Sequence, residues 1–168
     1  MAVHGIKWVK RVGGGQPEVV NYPEAASQTF KEGQPVVFDT SEEAIKLASV
    51  GTTALLGIAM ADASGTTGTL IPVLRPSLYD WFTATISASG ANLAAAHDRD
   101  QIGVVYDWIA STETGQTAKI TVDEDAAGGS DWCIVQDVYI DAKEPLATAG
   151  GRVYFSFHHT ALTDPNIA

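Results

Sequence analysis

Thr29-Phe30-Lys31-Glu32-Gly33-Gln34-Pro35-Val36-Val37-Phe38-Asp39, followed closely by Ala54-Leu55-Leu56-Gly57-Ile58-Ala59-Met60-Ala61, decides the reading of this chain. The first stretch is an entry strand, a Gly-Gln-Pro turn and a second apolar strand. The second is an apolar strand of small residues that must pack tightly, because Gly57 and the alanines offer no bulk. Outward from this pair the pattern stays β. Apolar runs fall at Val19–Tyr22, Gln28–Phe30, Pro35–Phe38, Ile45–Ala48, Leu55–Ala61, Thr69–Leu74, Trp81–Ser87, Gly103–Ile109, Ala118–Val122, Trp132–Ile140 and Arg152–His158. Turn signals separate them: Ser49-Val50-Gly51, Asp62-Ala63-Ser64-Gly65, Thr114-Gly115, Gly128-Gly129 and Gly150-Gly151. Short strands at close spacing predict a mainly β fold, a small β-barrel or sandwich.

Two short helical segments are expected inside it. Ser41 can cap a turn through Glu42, Glu43 and Ala44, and the alanine-rich Gly90–Asp98 can form a short helix. Residues 4–12 read as a strand with Ile6, Trp8 and Lys10 on one face. Gly13-Gly14-Gly15 is too costly in entropy for the interior of an element, so it reads as a flexible joint. The expected organisation is an N-terminal arm and glycine joint over residues 1–17 and a barrel-like body over residues 18–168, ending in a loose tail at Thr163–Ala168. Deleting residues 1–12 is then expected to leave the barrel folded.

Composition narrows the function. With 168 residues, the chain can bury about 70% of its unfolded surface and needs no covalent staple. Cys133 is the single cysteine; its apolar setting reads as a small buried hydrophobe. The formal net charge is −10, which argues against a nucleic-acid partner, since phosphate neutralisation needs a basic face. The charge is uneven. Three of the ten basic residues, Lys7, Lys10 and Arg11, stand in the first eleven positions, which hold no carboxylate; the remaining seven face twenty acids, a net −13. A basic strand on an acidic body could steer the chain to an acidic protein surface, or its lysines could simply protect an exposed strand edge. No leader pattern and no run near the ~20 apolar residues of a membrane span is visible, so the chain is expected to be made in a cytoplasm, with no membrane partner.

Motifs for catalysis are missing. There is no nucleophile elbow and no phosphate loop, and Gly13–Gly15 lacks the Lys-Ser/Thr that would follow. Lys46, between Ile45 and Leu47, only faintly echoes the lysine of a biotinyl-carrier hairpin. His158-His159, read as strand neighbours, would point to opposite faces and could not share a metal. Asp123-Glu124-Asp125 could approach a hard cation but lacks the alternating ligands of a calcium loop. No catalytic residue, cofactor or metal ligand is therefore expected. Tyr79-Asp80-Trp81-Phe82 is echoed by Tyr106-Asp107-Trp108-Ile109 and faintly by Asp131-Trp132; the expectation is tryptophans at a barrel rim, where the indole N–H can find a partner.

The opening pair, Thr29–Asp39 with Ala54–Ala61, resembles the first half of the β-barrel of tailed-bacteriophage head decoration, or capsid cement, proteins. The likeness covers residues 25–75 well and the rest loosely, and it rests on turns and packing, not on catalytic residues. It implies a non-enzymatic structural protein on the capsid surface of a virion, bound to the major capsid protein, acting as a homotrimer and stabilising the shell. Trp8, Tyr79, Trp81, Tyr106 and Trp108 are the aromatic anchor candidates. Lys7, Trp8, Lys10, Arg11, Trp81 and Trp108 are the expected partner-binding residues. The alternative is a carbohydrate-binding or adhesin-type β-domain, for which exposed tryptophans would be stacking platforms in a concave groove.

Overall fold

Strand-forming residues in period-2 alternation fold here as two sheets that share a core. The computed structural model describes residues 3–50, 52, 54–88, 93–124 and 132–162. Its strands are β1 (Lys7–Arg11), β2 (Glu18–Pro23), β3 (Pro35–Asp39), β4 (Ala44–Leu47), β5 (Gly57–Ala59), β6 (Leu70–Arg75), β7 (Asp80–Ser87), β8 (Val105–Ala110), β9 (Ile120–Asp123), β10 (Cys133–Val138) and β11 (Arg152–Phe157). The fold is mainly β; helix among the described residues is confined to short 3-10 turns such as Arg99–Gln101.

The first sheet runs β1-β7-β11-β10-β8-β9. Strand β9 then returns in parallel onto the end of β7, pairing Ile86 with Val122 and Ser87 with Asp123. This closes β7, β11, β10, β8 and β9 into a five-strand barrel, which removes the sheet's free edges there. Phe82, Ala84 and Ile86 alternate inward from β7, against Val153, Phe155 and Phe157 of β11. The Trp132 and Phe157 rings meet edge to face at 4.8 Å, and Phe82 meets Phe157 at 5.0 Å.

The second sheet runs β2-β6-β5-β3-β4. The Glu24–Ile45 bridge, with the Ala25 N–H donating to the Ile45 carbonyl at 3.1 Å, draws its two outer strands together. Its inner face buries Phe30, Val36, Ile45, Ala59, Ile71 and Val73. Its outer face contributes Ile58 and Leu74 to the core of the barrel. Gly57 has to be glycine: a Cβ there would overlap the Leu74 carbonyl oxygen and lie 2.8 Å from Val73 Cγ1. The expected tight packing of this strand is thus a backbone approach between β5 and β6.

Several local expectations are corrected. Gln28–Phe30 is not a strand; Phe30 is buried from a loop whose carbonyl accepts from the Ala63 N–H at 2.8 Å. Ser41–Glu43 is a turn with Glu43 at φ +51°, a left-handed residue that no helix holds, and Ala44 already opens β4. Of the expected Gly90–Asp98 helix, residues 90–92 lie outside the described residues, and residues 93–98 are not helical. They are held instead by His97, fully buried, whose Nδ1 lies 3.0 Å from the Thr148 carbonyl and whose Nε2 lies 2.8 Å from that of Tyr139. The Gly128-Gly129 turn, Asp125, Asp131 and Thr163–Ala168 lie outside the described residues.

The largest correction concerns the N-terminal arm. Residues 3–12 do not stand apart from the body: β1 pairs antiparallel with β7, from Lys7 opposite Thr83 to Arg11 opposite Asp80. Val3 and Ile6 are each only 4% exposed. The His4 N–H donates to Thr85 Oγ1 at 2.6 Å, and the Thr85 N–H returns a bond to the His4 carbonyl at 3.0 Å. Gly13, Gly14 and Gly15 all take positive φ, a turn that only glycines enter without strain, and it leads from β1 to β2 in the other sheet.

Candidate functional site

The buried carboxylate of Asp80 organises the region where most of the expected partner-binding residues meet. Its Oδ1 accepts from Trp8 Nε1 and Arg11 Nε, each at 3.0 Å. Its Oδ2 accepts from Arg11 Nη2 at 2.8 Å, the Ser77 N–H at 2.8 Å and Ser77 Oγ at 3.0 Å. Burial pushes this carboxyl up, but the bonds from Arg11, Ser77 and Trp8 together outweigh it and hold it below its ordinary value. Arg11 and Trp8 are therefore committed to fixing β1.

A β-bulge between Trp8 and Lys10 breaks the alternation, so the expectation of one face for Ile6, Trp8 and Lys10 fails. Ile6 and Trp8 pack on the core, and Lys10 turns outward. Its Nζ lies 4.1 Å above the centre of the Trp81 ring, a cation–π contact. Trp81 continues into a row of partly exposed aromatics, with Tyr154 at 6.4 Å and Tyr139 5.9 Å beyond it, and the Arg152 guanidinium covers Tyr139 at 3.7 Å. Trp108 is placed differently. It is 3% exposed in the barrel core, 6.0 Å from Trp132, and cannot meet a partner without unfolding. Tyr106, 5% exposed with its hydroxyl donating to Gln101 Oε1, is likewise core. The rim explanation for the tryptophans also fails: the indole N–H groups of Trp108 and Trp132 are buried with no acceptor among the described residues. Tyr79, by contrast, is 67% exposed.

Beside β1 lies a groove that the sequence did not signal. Its apolar end, a cleft of about 430 Å³, is walled by Ile6 and Trp8 on one side and by Val19, Ile58, Met60 and Leu74 on the other. Its polar end, about 370 Å³, is bordered by Lys7, Lys31, Glu32, Asp62 and Lys119. The two ends share Ile6, Lys7, Glu32 and Gly33 in their walls, and Gly33 packs against the Ile6 carbonyl between them. Strand β1 has β7 as its single strand neighbour, and its other edge is unpaired among the described residues. Lys31 is tied to Asp62 at 3.0 Å, whereas Lys7 and Lys119 have no carboxylate partner among the described residues.

Other polar groups are structural. Lys46 lies in β4, bridging Asp39 at 2.7 Å and Glu42 at 2.6 Å, and stands at no protruding hairpin tip. The His158 and His159 rings lie 4.2 Å apart, because the chain leaves β11 at Phe157 and turns; the strand alternation assumed for them does not hold. Asp107 faces Asp123 across β8 and β9, and burial, with Asp123 adding, pushes the Asp107 carboxyl up. No cluster of three His, Cys, Asp or Glu among the described residues is arranged to hold a metal, and no described helix is long and apolar enough to cross a membrane. No protein-family profile and no curated protein matches this chain.

Proposed function

We propose that the chain is a non-catalytic structural protein of the head-decoration type, which binds the outside of a tailed-phage capsid and strengthens contacts between major capsid subunits. The observation that carries this reading is an exposed apolar patch at the end of β1 and β7. Tyr79, Val12 and Leu78 are 67%, 54% and 48% exposed, and the Val12 N–H donates to the Tyr79 carbonyl at 2.9 Å. Adjoining apolar side chains beside the basic strand suit an interface anchor. The resemblance of Thr29–Asp39 and Ala54–Ala61 to such proteins supports it too, although these stretches supply β3 and β5 of the second sheet and not, as expected, strands of the closed barrel. Binding in many copies on a symmetric lattice multiplies a modest contact, and a species that binds only the assembled shell stabilises it. A homotrimer, as the resemblance implies, belongs to the same proposal.

The carbohydrate-binding alternative finds less support. The Trp81 face is covered by Lys10, the Trp8 N–H is taken by Asp80, and Trp108 and Trp132 are buried. Co-sedimentation with expanded, undecorated phage heads tests the proposal, alongside light scattering for the trimer. Saturable binding that weakens when Tyr79→Ala and Val12→Ser are combined supports it; no sedimentation with any such head overturns it.

A further inference from the structure

We propose that the polar cleft at the start of β1 is a binding site for a phosphoryl oxyanion, held by Lys7, Lys119 and Lys31. The chain has six lysines, and three of them border this one cleft. They arrive from β1, from the loop before β3 and from the residue that precedes β9. On a molecule of net charge −10, that clustering concentrates positive potential where most of the surface repels an anion. The cleft also fixes one of its cations. The Lys119 stem crosses Gly5: a Cβ there would lie 3.2 Å from Lys119 Cδ and 4.0 Å from its Nζ, so the missing side chain seats the ammonium over the chain just before β1. The Lys119 backbone is tied as well, its N–H to the Gln116 carbonyl and its carbonyl to the Ser111 N–H, each at 2.8 Å. Across the cleft Asp62 is already engaged, with Oδ2 3.0 Å from Lys31 Nζ and Oδ1 accepting from the Glu32 N–H at 2.9 Å. Lys7 and Lys119 remain, with the Glu32 carboxylate as the opposing charge in the same walls. Ammonium groups act on phosphate as point charges and lack the planar fork that suits a single carboxylate. A compact, doubly charged oxyanion therefore fits this set. The inference does not depend on the shell reading; failure to bind phage heads leaves it intact.

The test is a nuclear magnetic resonance titration of the full chain with inorganic phosphate, with glycerol phosphate and with acetate, all at one ionic strength. Expected are saturable shifts at residues 5–7, 31–33 and 118–120 with both phosphoryl compounds, and clearly weaker binding of acetate. Tighter binding of glycerol phosphate assigns the phosphoryl group to a larger molecule, and tighter binding of inorganic phosphate assigns the free ion; either supports the site. The pair Lys7→Gln and Lys119→Gln should lower affinity by about tenfold. Glu32→Gln, which removes the opposing charge, should raise it by about threefold. Gly5→Ala, which displaces the Lys119 stem, should weaken binding. Lys143→Gln, at an exposed lysine outside the cleft, should leave it unchanged. Both lysines of the pair are exposed, and thermal melts confirm that the variants fold. No saturable shift at tens of millimolar phosphate, equal binding of acetate, or an equal loss with Lys143→Gln overturns the inference.

Discussion

Replacing Asp80 by Ala removes one side chain and five hydrogen bonds: two from Arg11, two from Ser77 and one from Trp8. The carboxylate is fully buried, but the Arg11 side chain is 26% exposed, so water can reach part of what is left unpaired. Breaking a buried, hydrogen-bonded ion pair costs about 3–5 kcal/mol; partial access places this one near the lower end, about 3 kcal/mol. In a chain of this size that corresponds to a fall in melting temperature of roughly 6–12 °C. The damage should begin in β1, where hydrogen exchange at residues 7–11 should quicken before the barrel strands lose protection. The double variant with Arg11→Ala should lose less than the two single losses added together, because both act on one contact. A pH series gives a second reading. The Asp80 carboxyl is depressed, so its contribution is present above the ordinary value of 3.8 and drains away as pH falls through its lower folded value. The variant should lack that acid-side decline. A loss under about 1 kcal/mol, with unchanged exchange in β1, would refute the claim that this carboxylate holds the strand.

Gly57→Ala should destabilise by about 2–3 kcal/mol in a denaturant titration, since the new methyl group meets backbone that cannot yield. Cys133 is fully buried, and burial, with Asp107 adding, pushes its thiol up; a maleimide should label it only after unfolding, and rapid labelling of native protein would place it outside the core. Trp108→Ala should cost about 3–5 kcal/mol by leaving a cavity in the barrel. Trp81→Ala, at a partly exposed ring, should cost clearly less, and equal losses in thermal melts would contradict the different placement of the two.

The strands were largely legible because each is an apolar run closed by glycine or a polar turn, and because Gly57 and its alanines signal close packing in the sequence itself. Closure of the barrel was not legible, since the parallel pairing of Ile86 with Val122 joins elements that no local pattern relates. The repeated Tyr-Asp-Trp motif misled for a similar reason. Period-2 alternation fixes that neighbours oppose each other but not which set faces inward, and β7 turns Trp81 out while β8 turns Trp108 in. The groove draws Ile6, Val19, Lys31, Met60 and Lys119 from five separate parts of the chain, so only the tertiary fold assembles it.

The placement of β1 also reverses the outcome expected for its deletion. A strand free to pair with a neighbouring subunit would have to give up the burial of Val3 and Ile6, worth about 1.5–3 kcal/mol each, and the Asp80 contacts, worth about 3 kcal/mol more. One tryptophan at an interface core returns ~2 kcal/mol or somewhat more, so release is unfavourable and β1 stays where it is. Its order is already established on folding, so β1 enters any contact as a rigid strand and loses no ordering entropy of its own there. Deleting residues 1–12 should then uncover Phe82 and Leu74 beside the groove and destabilise the body by several kcal/mol. A truncated chain with an unchanged melting temperature and full barrel protection in hydrogen exchange would show that the strand is dispensable, and the preorganised strand would lose its basis.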